Sequence, residues 1–329
     1  MQVPDYELPE EAIAQVPLEP RDSARLLVAL GATVEHRTVA ELPELLGKGD
    51  VLVLNTTRVM PARLRLRKAS GGAAEVLFLE PLATGDWEAL VRPGRRLQPG
   101  TVLYKGEVAA VEVGERLAEG RRRVRPLLRE AELARVGEVA LPPYIHRPLL
   151  DPGRYQTVYA DRPGSVAAPT AGLHLTAQVL ERCRSKGVQV VGLDLAVGLG
   201  TFRPVKAERA EDHTMHAERY RVPEATWQAV NNAQGRVVAV GTTTVRALES
   251  AAATNLLEGK TELYIRPGHT FSTVDVLMTN FHQPRSTLLL MLEAFCGPRW
   301  RQLYELALQE GYRFLSFGDA MLVSRDVRP

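Results

Sequence analysis

Cysteine and long apolar runs are scarce in this 329-residue sequence. The two cysteines, Cys183 and Cys296, are far apart and form no C-x-x-C pair, so we expect neither a disulfide framework nor a thiolate zinc site. No stretch approaches the roughly 18 apolar residues of a transmembrane helix, because the longest, TLLLMLEAF, is short and includes Glu293. The start, MQVPDYELPEEAIAQ, lacks the basic and apolar regions of a secretion signal. These absences predict a cytoplasmic protein without a membrane segment.

The rest of the composition is that of a globular protein, with 45% apolar and 24% charged residues. A length of 329 residues exceeds the usual size of a single hydrophobic core and indicates two domains. The net charge is only +2, but the charges are unevenly distributed. Residues 61–150 contain 16 lysines and arginines against 11 acidic residues, so the positive charge is concentrated in one segment.

The hydrophobic pattern also separates this segment from the rest of the chain. From Pro61 to about Leu141, short alternating strands such as RLRLRKA and RRRVRPLL predict a small antiparallel barrel. On either side, apolar strands such as DVLVLNTT and RVVAVG alternate with helical stretches, which indicates a mainly parallel sheet with helices on both faces. The sequence therefore predicts a discontinuous α/β domain of residues 1–60 and 151–329, with an inserted β-barrel domain of residues 61–150.

Ligands of such sheets bind beyond the carboxyl ends of the strands, where loops meet helix N-termini. In RVVAVGTTTVRALES, the residues Gly241, Thr242, Thr243 and Thr244 join a predicted strand to a predicted helix. Free amides and hydroxyls at this point suit an anionic group, although a capped turn without a ligand explains the same residues equally well. Arg246, one turn further on, is either a fork for a carboxylate or phosphate or a solvated side chain.

A second glycine-rich loop, DLAVGLGTFRPV, places Gly198, Gly200 and Thr201 after another predicted strand. The loop does not match a dinucleotide fingerprint, because Arg203 stands where a third glycine is needed and Pro204 follows where a helix would begin. We interpret it as a loop that lets a ligand approach the backbone closely.

Small residues precede a single histidine in the stretch SVAAPTAGLHLT. They thin the packing, expose backbone amides and place the ring of His174 at the edge of a helix. Thr176 is the predicted N-cap of that helix and Gly187 its end.

Polar residues also gather ahead of the apolar helix STLLLMLEAFCG. Asn280, His282 and Arg285 precede Ser286, the predicted N-cap, and they exceed what capping needs, which favours a binding role. Asp319, in SFGDAMLV, lies between apolar strands and is either a turn residue or a carboxylate that faces a ligand.

Two histidines, His213 and His216, stand three residues apart in HTMH, a spacing that raises the question of a metal site. No thiolate or carboxylate accompanies them in a recognised ligand spacing, so we interpret them as a surface pair and predict no metal site.

Long and unusual motifs along the whole chain resemble the S-adenosylmethionine:tRNA ribosyltransferase-isomerases of queuosine biosynthesis. They include DYELPEEAIAQVP, RDSARLLV, DVLVLNTTRVMPARL, LPPYIHR, RYQTVYA, GSVAAPTAGLHLT, VGLGTFRPV, HTMHAERY, VGTTTVRALES, TNFHQPRSTLLLMLEAF and YRFLSFGDAML. Leu175 and Leu315 stand where the family pattern has an aromatic residue and a phenylalanine, and both remain apolar.

The resemblance implies a defined reaction. The ribosyl group of S-adenosylmethionine is transferred to 7-aminomethyl-7-deazaguanine at the tRNA wobble position and isomerised, which gives epoxyqueuosine-tRNA, adenine and methionine. It also implies an α/β domain with an inserted β-barrel, S-adenosylmethionine as a co-substrate, no true cofactor and no metal. We expect a monomer whose partners are this nucleoside and the precursor-bearing tRNA.

The implied reaction, together with the polar residues of the loops, suggests roles for individual residues. We expect proton transfer or another catalytic role for His174, Asp319 and His282. Substrate contacts are expected from Thr170, Ala171, Gly172, Gly198, Gly200, Thr201, Gly241, Thr242, Thr243, Thr244, Arg246 and Asn280. Contacts with tRNA phosphates are expected from Arg92, Arg95, Arg96, Arg121, Arg122, Arg123 and Arg125, for which a solvated basic face is the alternative.

Two other classes of function remain open. An S-adenosylmethionine-dependent RNA methyltransferase would release S-adenosylhomocysteine in place of adenine and methionine. A non-enzymatic RNA-binding protein would release neither.

Overall fold

The computed structural model describes residues 1–94, 96–198 and 207–325. The chain forms two compact units. The first contains Met1–Arg58, Pro142–Arg162 and Ala168–Pro329, and the second contains Val59–Leu141 and Pro163–Ala167. The sequence placed the end of the insert at residue 150, whereas the segment from Pro142 already belongs to the first unit.

Strands and helices are numbered in chain order. The strands are β1 (Arg25–Ala29), β2 (Glu35–Thr38), β3 (Val51–Asn55), β4 (Thr57–Val59), β5 (Arg63–Lys68), β6 (Ala73–Pro81), β7 (Trp87–Arg92), β8 (Thr101–Lys105), β9 (Val108–Arg116), β10 (Arg121–Pro126), β11 (Arg162–Ser165), β12 (Gln189–Leu195), β13 (Glu218–Arg221), β14 (Val237–Val240), β15 (Glu258–Thr261), β16 (Val276–Asn280) and β17 (Ala320–Ser324). The α-helices are α1 (Leu42–Leu45), α2 (Glu130–Val136), α3 (Ala177–Ser185), α4 (Glu224–Asn231), α5 (Thr242–Thr254), α6 (Thr287–Cys296) and α7 (Trp300–Gln309).

The described residues of the first unit form a nine-stranded sheet in the order β15-β13-β12-β3-β14-β16-β17-β1-β2. The central strands β12, β3, β14 and β16 run parallel, as do β17 and β1. The other pairings are antiparallel, so the sheet is mixed. A two-stranded sheet pairs β4 with β11. The predicted fold class, an α/β sheet with helices plus an inserted antiparallel barrel, is confirmed.

The central strands are apolar throughout, so helices can cover both faces of the sheet. Every residue of β3 is buried, and Leu52 and Leu54 lie in one core cluster with Val179 and Cys183 of α3. The alternate side chains of β3 point to the opposite face, and α4 and α5 pack on β3 and β12. Cys183 and Cys296 are both buried. No helix among the described residues is long and apolar enough to cross a bilayer.

Both predicted helix caps are confirmed. The Thr176 hydroxyl accepts a hydrogen bond from the Val179 N–H at 3.2 Å, at the start of α3. The Ser286 hydroxyl does the same for the Leu289 N–H, also at 3.2 Å, at the start of α6. Such a cap pairs an amide that has no partner within the helix.

In the second unit, six described strands form a closed barrel in the order β10-β7-β6-β5-β8-β9. Side chains alternate between its interior and its surface. In β10, for example, Val124 is buried and Arg125 is exposed.

The same alternation buries one of the predicted tRNA contacts. Arg122 is only 2% exposed, and its guanidinium donates hydrogen bonds to the carbonyls of Gly94 at 3.2 Å, Leu97 at 3.1 Å and Gly114 at 2.8 Å. Burial lowers the pKa of Arg122. The predicted phosphate contact is therefore wrong for Arg122, because its donors already satisfy carbonyls inside the barrel.

Replacing Arg122 should destabilise the barrel. R122A leaves three main-chain carbonyls without their donor, and we expect a loss of about 3 kcal/mol in the free energy of unfolding. R125A removes an exposed ion pair with Glu112 and should change stability little. Urea unfolding, with hydrogen exchange of barrel amides, measures both effects. Equal losses for the two variants would contradict this role of Arg122.

Candidate active site

The carboxyl ends of the parallel strands meet at one edge of the sheet. There the chain places Asn55 at the end of β3, Gly198 shortly after β12, Gly241 after β14 and Asn280 at the end of β16. This edge, which we call the rim, is where α/β sheets usually bind ligands. Two clusters of predicted site residues occupy it.

The first cluster joins His174, Asn280 and Thr170. The Asn280 Nδ2 lies 3.0 Å from Nε2 of His174, and the Asn280 Oδ1 accepts a hydrogen bond from the Thr170 hydroxyl at 2.9 Å. The same Nδ2 donates to the main-chain carbonyl of Asp319 at 3.4 Å. Because a carbonyl can only accept, this contact fixes the orientation of the amide. His174 Nε2 is therefore an acceptor, and the ring proton is on Nδ1.

The surroundings of His174 keep its ring neutral. Burial, followed by the positive charges of Arg313, Arg154 and Arg21, lowers the pKa of His174 to about 4. The ring lines a cavity of about 10 Å³ together with Arg21 and Arg154. A neutral imidazole at physiological pH suits a proton acceptor rather than a proton donor.

Close packing explains part of the small-residue stretch before His174. A Cβ on Gly172 would lie 1.9 Å from the hydroxyl oxygen of Tyr159, so no larger residue fits without movement of this side chain. A Cβ on Gly241, which has a φ of +89°, would lie 3.7 Å from the Cβ of Ala171. Ala171 therefore lies against the turn that starts α5, and the protein's own contacts already require Gly172 to be small.

The second cluster contains Arg246. The sequence left open an anion-binding or a solvated side chain, whereas the structure buries the guanidinium and pairs it with a carboxylate. Arg246 is 6% exposed and forms an ion pair with Glu218, which is 8% exposed. Its Nε and Nη2 donate to the carbonyls of Leu263 at 3.2 Å and Thr261 at 3.3 Å. The Glu218 carboxylate also accepts the Gly198 N–H at 2.9 Å. Glu218 thus connects the loop after β12 to α5.

Asn55 links three segments of the rim and was missed by the sequence analysis. Its Nδ2 donates to the Leu195 carbonyl at 3.0 Å and to the Thr243 hydroxyl at 3.1 Å. Its Oδ1 accepts from the Leu195 N–H at 3.2 Å and the Thr57 N–H at 3.1 Å. The available signal was a single polar residue that ends an apolar strand. Glu218 gave no comparable signal, since acidic residues at the start of short strands are common on surfaces.

A cavity of about 30 Å³ lies at the start of α5. Thr242, Thr243, Arg246 and Glu218 line it, as do both histidines of the HTMH motif. Thr244 does not line this cavity, and its hydroxyl donates a hydrogen bond to the Val240 carbonyl at 2.7 Å. Among the described residues there is no cluster of three or more side chains with metal-ligating chemistry.

Comparison with known proteins identifies the family. The sequence matches a family model described as "Queuosine biosynthesis protein" over residues 2–323. The chain belongs to this family.

Named relatives match this chain over nearly their whole length. Proteins named S-adenosylmethionine:tRNA ribosyltransferase-isomerase are 53% identical in Rubrobacter xylanophilus (97% of this chain, 96% of that protein) and 51% identical in Thermus thermophilus (97% and 98%). A crystal structure of S-adenosylmethionine tRNA ribosyltransferase from Thermotoga maritima is 37% identical, covers 97% of this chain and 99% of that chain, and has a TM-score of 0.56. The family resemblance of the motifs is thus confirmed.

The other two predicted catalytic residues, His282 and Asp319, form hydrogen bonds within the protein. His282 Nε2 lies 3.0 Å from the Thr279 hydroxyl, and burial lowers the pKa of His282 to about 3. Thr279 and Asn280 are consecutive in β16 and point to opposite faces, so His282 lies away from the His174 cluster. The Asp319 carboxylate accepts the main-chain N–H groups of Arg25 at 2.9 Å and Arg313 at 2.8 Å, while burial raises the pKa of Asp319.

The predicted tRNA contacts that the structure describes belong to the second unit. Arg92 and Arg96 are exposed. The outward arginines of β10 pair with carboxylates of neighbouring strands: Arg121 with Glu88, Arg123 with Glu115, and Arg125 with Glu112. Arg95, Gly200 and Thr201, also predicted to contact substrates, lie outside the described residues.

The buried histidines should make the stability of the protein depend on pH. His174 has a folded-state pKa of about 4, below the roughly 6.5 of an unfolded histidine, so its stabilising contribution is present above pH 6.5 and is lost as the pH falls towards 4. We expect wild-type stability to fall more steeply over this range than that of H174Q, by up to about 1.4 kcal/mol per pH unit. Urea unfolding at several pH values measures both slopes. Parallel curves would show that the imidazole is not buried in its neutral form.

Proposed function

We propose that the protein transfers the ribosyl group of S-adenosylmethionine to 7-aminomethyl-7-deazaguanine at the tRNA wobble position and isomerises it, with release of adenine and methionine. The observation that carries this proposal is the identity of about half the residues, over 97% of the chain, with proteins named S-adenosylmethionine:tRNA ribosyltransferase-isomerase. The gathering of polar side chains at the rim of the sheet supports it.

The proposed chemistry requires a base near the sulfonium. Positive sulfur acidifies the hydrogens of the neighbouring 5′ carbon, so that a positioned base can remove one of them. We assign this role to His174, which is buried and neutral at physiological pH. Its Nε2 accepts a hydrogen bond from Asn280, and a substrate C–H would replace that donor.

Removing the imidazole should slow turnover without abolishing binding. We expect H174N to lower kcat by about 10²-fold or more, measured as adenine release from S-adenosylmethionine with precursor-bearing tRNA. The wild-type kcat should fall only as the pH approaches 4, because a base is active above its pKa.

H282N is the matched control for His174, since it removes the other deeply buried imidazole. It should lower stability but leave the turnover of the folded enzyme nearly unchanged. A near-wild-type rate in H174N, or equal rate losses in the two variants, would contradict the assignment of His174.

The products separate this function from its alternatives. Incubation with S-adenosylmethionine and precursor-bearing tRNA should yield adenine, methionine and a nucleoside with the mass of epoxyqueuosine. An RNA methyltransferase would yield S-adenosylhomocysteine, and a protein that only binds RNA would release no adenine.

We further propose that tRNA phosphates bind the side of the barrel formed by β7 and β10. Support comes from the exposure of Arg92, at the end of β7, and of Arg96, in addition to the outward arginines of β10. The closed strand order places β5 across the barrel from β10. The exposed Arg65 and Arg67 of β5 therefore provide a control of equal charge on the other side.

Charge reversal on the two sides should have different effects. R92E/R96E should weaken tRNA binding and reduce the slope of log K against log salt by roughly 0.7–0.9 for each lost phosphate contact. R65E/R67E should change that slope less, and neither double variant should alter the affinity for S-adenosylmethionine. Filter binding at several salt concentrations measures this slope for each double variant. Equal slopes would rule out a localised contact at β7 and β10.

A further inference from the structure

The ion pair at the start of α5 has hydrogen-bonding capacity that the described residues do not use. A guanidinium has five N–H donors, of which Arg246 uses three, for Glu218, Thr261 and Leu263. The Glu218 carboxylate accepts from Arg246 and Gly198, and each of its oxygens has a second lone pair. Both side chains line the 30 Å³ cavity, so spare donors and spare acceptors lie next to each other in its wall.

The two charges restrict what this cavity can bind. A lone anion attracted by Arg246 would be repelled by the buried carboxylate of Glu218, and a lone cation would be repelled by Arg246. Burying an unpaired charge against a like charge is unfavourable. A ligand with one positive and one negative group a few ångströms apart matches both partners, and an α-amino acid is such a ligand.

The size and the remaining walls of the cavity agree with a small amino-acid group. About 30 Å³ is room for roughly two water-sized groups, such as an ammonium and one end of a carboxylate, and not for a sugar or a base. Thr242 and Thr243 add hydroxyl groups at the start of α5, and the N-terminal end of a helix favours a negative group such as a carboxylate. Apolar contacts for a methylene chain come from Met215, Leu288 and Met291.

We propose that this cavity binds the zwitterionic amino-acid end of S-adenosylmethionine, with its carboxylate at Arg246 and the Thr242–Thr243 turn and its ammonium at Glu218. This inference rests on the proposed function and adds Glu218 as the residue that recognises the ammonium group. Glu218 also holds the Gly198 amide, so the same carboxylate binds the ligand and positions the loop after β12.

Ligand analogues test the proposal on the unmodified protein. Calorimetry without tRNA compares S-adenosylmethionine with decarboxylated S-adenosylmethionine, which lacks the carboxylate, and with a deaminated analogue, which lacks the ammonium. We expect each analogue to bind about 10-fold or more weakly, because each loses one charge-assisted contact. Wild-type binding of the deaminated analogue as tight as that of S-adenosylmethionine would overturn the proposal, whatever any variant does.

A variant then assigns the ammonium contact to Glu218. E218Q keeps the shape of the side chain but removes its charge, so it should weaken S-adenosylmethionine binding about 10-fold or more. It should leave the affinity for the deaminated analogue within about 3-fold of wild type, since that ligand has no ammonium to lose. In the turnover assay, KM for S-adenosylmethionine should rise while kcat stays within about 3-fold.

D50N provides the matched control for loss of a structural ion pair. Asp50 is 4% exposed and pairs with Arg236 at 2.6 Å, at the opposite end of β3 from the rim. D50N should preserve the wild-type order of affinities for the three ligands.

If E218Q weakens the binding of all three ligands equally, or of none of them, Glu218 has no contact with the ammonium and the proposal fails. If wild type binds S-adenosylmethionine in the expected order but releases no adenine with modified tRNA, the proposed function fails while the cavity assignment stands.

Discussion

The hydrogen bonds of two buried asparagines hold the rim of the sheet together. Asn55 and Asn280 each end an apolar strand, and each is at most 3% exposed. A buried amide that lost its partners would cost about 1–3 kcal/mol, so the surrounding groups must remain where they satisfy it. Asn55 thereby fixes the end of β12 against the start of α5, and Asn280 fixes the turn that carries His174. Because the apolar strands bury these two amides, the polar groups that bond to them are held in defined positions at the rim.

The two clusters on the rim differ in how they bury an ionisable side chain. His174 stays neutral, because burial and three nearby arginines all disfavour its protonated form. Arg246 instead forms an ion pair with Glu218 inside the protein. A neutral ring is suited to accepting a proton, whereas a paired guanidinium and carboxylate are suited to recognising a dipolar ligand. Ala171, which lies beside Gly241, brings the two clusters to neighbouring points of the rim.

The number of basic residues in the barrel does not by itself give the charge of its surface. Lysines and arginines do outnumber acidic residues there. However, Arg122 faces the interior, and the outward arginines of β10 are each paired with a carboxylate. Exposed ion pairs contribute little to stability and reduce the local positive potential. Charge that remains for a polyanion therefore depends on residues outside these pairs. Arg122 had a sequence signal, because it shares the two-residue period of the buried Val124.

The sequence by itself determined the fold class, the caps at Thr176 and Ser286, the barrel inserted in an α/β chain, and the family. These features depend on short-range patterns: periods of two and of three to four residues, a hydroxyl three residues before an amide, and contiguous motifs. Only the tertiary structure decided the partners of the site residues. His174 meets Asn280 across 106 positions and Arg246 meets Glu218 across 28, because strand order and helix packing, which no local pattern encodes, bring them together.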